Sequence, residues 1–245
     1  PDSPYLKYYE YIKEHGYSRH LYEFKNEYTD MPVNVQKDEK KGLYYVQQEK
    51  KRLYFRKSTP PKKIQKYYKA LSMEQDKRSP HHYFDSVKDV TGKVFVDVGC
   101  AEGYSSLEIV EEAKHIYLFE QDEQWLEAIR ATFEPWQDKV TIVQKYVSDH
   151  NSSREQTLDD FFNNQTDEHL FLKMDIEGAE RHALAGCKNL FQNCQKLDFA
   201  ICTYHLRDDE EVISAFLNKH NCTYINQKGF FRHRIRSVVM RGSKK

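Results

Sequence analysis

Residues 94–106 have the sequence VFVDVGCAEGYSS, in which an apolar run leads into a loop with two glycines. Six further apolar runs follow along the chain, and most are separated by stretches with a helical pattern. This alternation is typical of a doubly wound α/β sheet. The six runs are residues 115–120, 139–143, 170–175, 197–205, 223–226 and 236–240. We therefore predict an α/β fold with a Rossmann-like sheet of seven strands.

The first 80 residues lack this alternation. Apolar and aromatic residues recur at three- and four-residue spacing over residues 5–28, which predicts a helix with one buried face. Residues 42–57 predict a β-hairpin, and residues 62–75 predict a second helix that begins after two prolines. We expect residues 1–80 to form an accessory region that acts as a lid or binds substrate, and residues 81–245 to form the main α/β domain.

Charge is distributed unevenly along the chain. The segment from Lys37 to Arg78 holds 14 Lys and Arg residues and five Asp and Glu residues, a net charge of +9, whereas the whole chain has a formal net charge of zero. The segment indicates either an anionic small-molecule or glycan ligand or a solvated surface. The neutrality of the whole chain argues against a nucleic-acid partner.

The sequence contains no apolar run that approaches the roughly 18 residues of a membrane-spanning helix. Its first 16 residues, PDSPYLKYYEYIKEHG, lack the basic start and apolar middle of a secretory signal. We therefore expect a cytoplasmic protein without a membrane span.

The glycine loop after the first strand is suited to a small-molecule ligand. In open α/β sheets, ligands bind beyond the carboxyl ends of the strands, near the point where the strand order reverses. Gly99 and Gly103 allow the backbone to turn tightly and approach a ligand, and Asp97 can meet an ammonium group directly or through water. We predict that the loop contacts a cofactor through Asp97, Gly99, Cys100, Ala101 and Gly103.

A second acidic residue supports this prediction. Glu120 ends the second strand, where a carboxylate can accept hydrogen bonds from both hydroxyls of a ribose. We assign the next residue, Gln121, to the cofactor site as well. Nicotinamide enzymes share this acid but use the pattern G-x-G-x-x-G, and residue 101 is Ala here. Asp97 would repel a pyrophosphate and suits a cationic amino-acid group. S-adenosylmethionine, which carries such a group on a ribose, therefore fits better than NAD.

Several stretches of the chain resemble the FkbM-type methyltransferase family. In order, they are residues 94–106, 116–125, 157–162, 171–186 and 201–209. The resemblance is strongest over residues 79–205. It implies a class I methyltransferase fold, S-adenosylmethionine as the cofactor, and methyl transfer to a hydroxyl oxygen of a carbohydrate-like or other small acceptor.

The adenine contacts do not follow the usual pattern of class I methyltransferases. These enzymes often place an Asp after the third strand to bind the adenine amine, and Tyr146 stands at that position here. Adenine is then held either by Tyr146 and Val147, through packing and backbone groups, or by Asp149.

Methyl transfer to a hydroxyl needs a base for the proton and in-line placement of the reacting atoms. Asp175 ends the fourth strand, next to the expected methyl group, and we assign it to the cofactor site as well. Glu177 follows on the next turn, and His205 ends the fifth strand. Asp175, Glu177 and His205 are the predicted catalytic residues. His205 is the most suitable base because its ordinary pKa of about 6.5 lies near neutrality.

The same three side chains allow a second interpretation, in which they converge on a divalent ion that acidifies a bound hydroxyl. We do not favour this metal site, because its ligands come from two strand ends and their spacing gives no signature. Glu180, one helical turn from Glu177, is expected to cap a helix. His81 and His82 lie in the joint between the two regions, either on a loop over the substrate or on the surface.

Two alternatives to a methyltransferase remain open at this point. One is a nicotinamide-dependent sugar oxidoreductase. The other is a non-catalytic module that binds the cofactor and docks on a partner through the basic segment.

Overall fold

The computed structural model describes residues 3–18, 21–163, 167–231 and 233–244. Its strands are β1 (Val35–Asp38), β2 (Leu43–Gln48), β3 (Lys51–Tyr54), β4 (Val94–Val98), β5 (His115–Phe119), β6 (Val140–Val143), β7 (Tyr146–Val147), β8 (Glu155–Gln156), β9 (Leu170–Met174), β10 (Leu197–Cys202), β11 (Cys222–Phe231) and β12 (Arg234–Lys244). Its helices are α1 (Leu6–His15), α2 (Lys25–Thr29), α3 (Pro61–Glu74), α4 (Tyr104–Ile109), α5 (Glu123–Phe133), α6 (Leu158–Phe161), α7 (Glu180–Ala185), α8 (Lys188–Asn193) and α9 (Asp209–Lys219). None of the helices in these ranges is both long and apolar enough to cross a membrane.

Seven strands form one sheet, in the order β11-β12-β10-β9-β4-β5-β6. The strands β10, β9, β4, β5 and β6 run parallel, and β12 and β11 add antiparallel at one edge. These are the seven strands that the sequence predicts, and the α/β fold class is confirmed. From β4 the chain passes to β5 and β6 on one side and later to β9 and β10 on the other. The strand order therefore reverses between β4 and β9, where ligands of such sheets bind.

Both faces of the central strands are covered. Every residue of β4 and β9 is buried, as expected for parallel strands between two helical layers. Side chains alternate along β4, so that Phe95 packs in one core with α4 and α5. Val96 packs in the other core with α7, α8 and α9. This alternation explains why β4 is apolar at every position except Asp97.

The N-terminal segment differs from the predicted single helix over residues 5–28. The structure has two short helices there, α1 and α2, and neither contains a buried residue. Helix α1 ends at Gly16, whose φ of 77° is in the region that glycine adopts readily. Tyr5 and Tyr9, which contribute to the apolar spacing, are exposed. The spacing thus reflects a helix that does not bury a face in the described structure.

The predicted hairpin is present and includes a third strand. Strands β2 and β3 pair antiparallel across a two-residue turn, and β1 pairs with the other edge of β2. The sequence of β1, VQKD, has no buried residue and so gives no apolar signal. Leu53 and Phe55 are fully buried in the same core as Phe95 of β4. The small sheet therefore shares its hydrophobic core with the main sheet.

A side-chain hydroxyl joins the free edge of β3 to α5. The backbone N–H of Tyr54 donates to Thr132 Oγ1 at 3.0 Å, in a buried position. Thr132→Val keeps the side-chain shape but leaves this N–H unpaired, so we expect the free energy of unfolding to fall by about 1–3 kcal/mol. Thr132→Ser keeps the hydroxyl and is the matched control. Urea unfolding measures both, and a valine variant as stable as the parent would contradict the proposed link.

Candidate functional site

A cavity of about 1000 Å³ opens where the carboxyl ends of β4, β5 and β9 meet. Known ligand sites measure about 300–1,000 Å³, so the cavity can hold a cofactor and a small second ligand. Among the predicted site residues, Gly103 and His205 do not line it. Those that do are Asp97, Gly99, Cys100, Ala101, Glu120, Gln121, Tyr146, Val147, Asp175 and Glu177.

The glycine loop is shaped by the loop that follows β9. Gly99 has a φ of 79°, and a Cβ at this position would lie 2.1 Å from the carbonyl oxygen of Asp175. Gly103 begins α4, and a Cβ there would lie 2.7 Å from the ring of Phe133. Both glycines are therefore required by packing within the protein. Gly99 thus allows the loop after β4 to approach the backbone at Asp175, and these two segments form the floor of the cavity.

Asp97 forms a buried ion pair that the sequence analysis did not identify. Asp97 Oδ1 lies 2.8 Å from Lys173 Nζ, and the two side chains are 2% and 6% exposed. Asp97 Oδ2 accepts a hydrogen bond from Ser106, and Lys173 also donates to the carbonyl oxygen of Gly99. Burial acts to lower the pKa of Lys173, but the Asp97 and Asp175 carboxylates outweigh it and raise this pKa. The carboxylate predicted to meet an ammonium is thus already neutralised by Lys173.

Glu120 is held ready at the end of β5. One carboxylate oxygen accepts from the N–H of Ala101 at 3.1 Å, and the other accepts from the N–H of Asp122 at 2.8 Å. A carboxylate oxygen has further lone pairs, so each remains able to accept from a ligand hydroxyl. The loop after β4 and the end of β5 are therefore linked through the side chain that the sequence assigns to the ribose.

The accessory region supplies one wall of the cavity. The guanidinium of Arg56 lies 4.0 Å from the ring centre of Trp125 and donates to Asp122 at 2.7 Å. Tyr67 of α3 stacks near the same ring and donates its hydroxyl to Glu102 at 2.8 Å. These side chains were not predicted, because Arg56 is placed by the packing of β3 against α5 and Tyr67 by its ring contact with Trp125. The residues of the first 80 that line the cavity are Arg56, Tyr67, Leu71, Glu74 and Gln75.

Tyr146 and Val147 form β7 and line the cavity together with Asp149. Tyr146 is half exposed and Val147 is buried. Hydrogen bonds from His150 and His182 lower the pKa of Asp149 to about 2. Both alternatives for the adenine contacts therefore lie at the cavity wall.

Asp175 presents its carboxylate to the cavity from the end of β9. The hydroxyl of Tyr83 donates to Asp175 Oδ2 at 2.7 Å, and Asp175 Oδ1 lies 3.5 Å from His205 Nε2. Burial and the adjacent Asp175 charge raise the pKa of Tyr83 well above its ordinary value. Tyr83 therefore stays protonated and acts as a donor to Asp175.

The side chain of His205 lies next to Asp175 and is 5% exposed. Its Nδ1 is 2.8 Å from Glu180 Oε1, and its Nε2 is 3.6 Å from Glu177 Oε2. Burial acts to lower the pKa of His205, but the surrounding carboxylates, Glu180 foremost, outweigh it and raise this pKa. His205 does not line the cavity, so it is a weaker candidate for the base than Asp175. Asp175, which lines the cavity, is the side chain placed to meet a ligand hydroxyl.

Glu180 is fully buried at the start of α7. Its Oε1 accepts from the N–H of Ile176 at 2.9 Å as well as from His205, so it closes the turn after β9. His81 and His82 are also buried and do not line the cavity. His81 bonds to Tyr22, which ties the joint to the accessory region. The two histidines thus lie in the packed joint between the regions, away from the cavity and the surface.

The cavity wall carries more acidic than basic residues. The lysine and arginine residues among its described lining are Arg56, Lys145 and Lys173, and each has a polar partner within the protein. Of these three residues, Arg56 belongs to the basic Lys37–Arg78 segment. The expectation of an anionic acceptor gains no support from these charges. The acidic lining residues are Glu74, Asp97, Glu102, Glu120, Asp122, Asp149, Glu155, Asp175 and Glu177.

The contact between Gly99 and Asp175 predicts an unequal response of two glycines. Gly92 has a similar φ of 71°, but a Cβ there meets nothing within 4 Å. Gly92→Ala should therefore cost only the strain of a left-handed backbone, about 1–2 kcal/mol. Gly99→Ala adds a clash with backbone and should lower the thermal unfolding midpoint much further. Equal losses in the two variants would show that the β9 loop can move aside.

Comparisons with known proteins identify the family and the fold of this chain. Residues 23–225 match the family model of the methyltransferase FkbM domain. No curated protein matches the chain significantly. The structure of the methyltransferase FkbM from Methylobacillus flagellatus KT aligns with a TM-score of 0.50 and 18% identity, over 62% of this chain and 43% of that one. The present chain thus spans less than half of that protein.

A second solved structure is magnesium protoporphyrin IX methyltransferase (ChlM) from Synechocystis PCC 6803 with bound SAM. It aligns with a TM-score of 0.47 and 12% identity, over 77% of this chain and 86% of that one. The family model covers most of the chain, including the strands and loops that build the cavity. This chain therefore belongs to the FkbM methyltransferase family.

Proposed function

We propose that this protein transfers a methyl group from S-adenosylmethionine to a hydroxyl oxygen of a carbohydrate-like or other small neutral acceptor. The observation that carries the proposal is the placement of two carboxylates on one cavity. Glu120 faces it from the end of β5, and Asp175 faces it from the end of β9. The first suits a ribose, and the second suits an acceptor hydroxyl.

The residues present fit the proposed cofactor. Glu120 is pre-positioned by two backbone amides, and the glycine loop between β4 and α4 leaves backbone groups along the cavity floor. Tyr146 and Val147, or Asp149, would contact the adenine ring from the cavity wall. The cofactor would supply the electrophilic methyl group. The acidic lining also favours a ligand with cationic sulfonium and ammonium groups.

The acceptor end is defined by Asp175 and the side chains around it. Asp175 would accept the hydrogen bond of the acceptor hydroxyl and hold its proton as the oxygen is alkylated. The hydroxyl of Tyr83 orients Asp175 through its other carboxylate oxygen. Tyr83 and Tyr204 also line the cavity and provide apolar faces on which a sugar ring can pack. In-line placement of the two reacting atoms supplies much of the remaining rate enhancement.

The ion pair between Asp97 and Lys173 bears on the choice between a methyltransferase and a nicotinamide enzyme. Because Lys173 neutralises Asp97, the charge of Asp97 no longer argues strongly against a pyrophosphate. The case for a methyltransferase rests instead on the family match and on the loop sequence, in which Ala101 replaces a glycine of the dinucleotide pattern.

The cofactor site predicts a specific effect of Glu120→Gln. The glutamine loses the charge that strengthens hydrogen bonds from ribose hydroxyls, which are worth about 1.5–3 kcal/mol each to a charged group. It also replaces one of the two oxygens that accept from the Ala101 and Asp122 N–H groups with an NH₂ donor. We expect the affinity for S-adenosylhomocysteine to fall roughly tenfold or more, as measured by calorimetry. Glu127→Gln, on the exposed face of α5, is the control and should bind like the parent. Parental affinity of Glu120→Gln would remove Glu120 from the ribose site.

The acceptor site predicts that Asp175→Asn affects turnover more than cofactor binding. A panel of mono- and oligosaccharides, assayed by release of S-adenosylhomocysteine, would first identify a methylated acceptor. With that acceptor, Asp175→Asn should lower kcat by about a hundredfold or more, while calorimetry shows nearly unchanged affinity for S-adenosylhomocysteine. Near-parental kcat would exclude Asp175 as the base. Cofactor binding without methylation of any acceptor would favour the non-catalytic module instead.

A further inference from the structure

The turn after β9 and the end of β10 bring together three side chains that can ligate a metal. One donor atom each from Asp175, Glu180 and His205 lies within 4.8 Å of the other two. Asp175 lines the cavity, whereas Glu180 and the His205 side chain are almost fully buried. Two buried atoms of this cluster, Glu180 Oε2 and His205 Nε2, have no hydrogen-bond partner among the described residues. Unpaired polar atoms are costly inside a protein, and they require a ligand or water.

The hydrogen bonds of the cluster favour one tautomer of His205. Glu180 accepts from the Ile176 N–H through the same oxygen that faces His205 Nδ1. A carboxylate in this position is an acceptor, so Nδ1 of His205 carries a proton and donates it. In neutral His205 the lone pair is then on Nε2, which faces Asp175. Metal-binding histidines typically have this arrangement, with the second nitrogen donating to a carboxylate.

The distances around His205 Nε2 suit a divalent ion. Asp175 Oδ1 lies 3.5 Å and Glu177 Oε2 lies 3.6 Å from this nitrogen. Two ligands at adjacent positions around an ion, with bonds of about 2.1 Å, are separated by roughly 3.0–3.4 Å. Small side-chain movements therefore bring either pair into range. Glu177 has a 91% exposed side chain, which leaves it free to adjust.

The charges around the cluster also favour a cation. The carboxylates of Asp175, Glu177 and Glu180 surround the His205 imidazole. Lys173, which interacts electrostatically with Asp175, forms its ion pair with Asp97 instead. Asp175 and Glu180, the two largely buried carboxylates, repel each other unless positive charge lies between them. Tyr83 occupies Asp175 Oδ2, so Oδ1 remains available on the side of His205.

We propose that this cluster binds one divalent cation, with Asp175 Oδ1 and His205 Nε2 as ligands, Glu177 as a third ligand, and Glu180 orienting His205. Mixed carboxylate and imidazole ligands suit manganese, zinc or iron better than calcium. The cation would lie beside the acceptor end of the cavity and acidify the acceptor hydroxyl as a Lewis acid, while Asp175, which keeps a second lone pair on Oδ1, would take the proton. This role rests on the proposed methyl transfer, whereas the binding of the cation does not.

Binding of Mn²⁺ alone to the full chain tests the site without any acceptor. The loss of the electron paramagnetic resonance signal of free Mn²⁺ should indicate one ion per chain. His205→Ala and Asp175→Asn should abolish or strongly weaken binding, and Glu180→Gln should weaken it about 10–100-fold, as expected for a residue that orients a ligand. Circular dichroism would verify that each variant is folded, and Asp175→Asn tests the site if the variants of buried residues do not fold.

A second group of acids and histidines provides the control. Asp149, His150, Glu155 and His182 form exposed ion pairs elsewhere in the cavity lining. His150→Ala should bind Mn²⁺ like the parent. The proposal is overturned if the parent binds no Mn²⁺ at millimolar concentration, if His150→Ala removes binding, or if Asp175→Asn retains it.

The same experiments separate this inference from the proposed function. If S-adenosylhomocysteine binds and turnover persists in a chelator, but Mn²⁺ does not bind, the metal site fails and methyl transfer stands. If Mn²⁺ binds as expected but S-adenosylhomocysteine does not, the proposed function fails and the metal site stands. If chelation stops turnover and Mn²⁺ restores it in the parent, both are supported.

Discussion

The candidate site depends on the buried ion pair between Asp97 and Lys173. The two residues are register partners on the central strands β4 and β9, so the pair lies at the point where the strand order reverses. Lys173 also binds the carbonyl oxygen of Gly99, and Asp97 binds Ser106 of α4. One pair thus fixes the start of the glycine loop, the first turn of the next helix and the end of β9. A buried charge that lost its partner would cost several kcal/mol, so both residues are needed together.

That arrangement explains which parts of the protein could be predicted from sequence. The central strands β4 and β9 were predictable because strands covered on both faces are apolar at nearly every position, and the position of Glu120 followed from its place at a strand end. Lys173 carried a signal that was overlooked, namely a lysine inside the apolar run LFLKMD. A charged residue in such a strand must be buried and therefore paired. Its partner could have been sought on the neighbouring strand.

Other features depend on contacts between distant segments and leave no local pattern. The wall of Arg56 and Tyr67 forms because β3 packs against α5 and α3 brings Tyr67 next to Trp125. The exposure of α1 likewise depends on its contacts with distant parts of the fold. The tyrosine spacing in residues 5–28 is the same for a buried and for an exposed helix face. The role of Glu180 was also hidden, because a glutamate at a helix start is usually an exposed cap. Here it is buried beneath the turn that it closes.

The turn after β9 combines backbone strain with a concentration of charge. Glu177 has a φ of 55°, which is unusual for a residue other than glycine. The turn is held in this form from three sides: by Gly99 against the Asp175 backbone, by Glu180 through the Ile176 N–H, and by Tyr83 through the Asp175 carboxylate. Strained backbone persists when its surroundings determine it, and it is concentrated at functional sites. The turn therefore orients Asp175 towards the cavity while Glu177 remains exposed at its rim, and both side chains are available to the proposed acceptor.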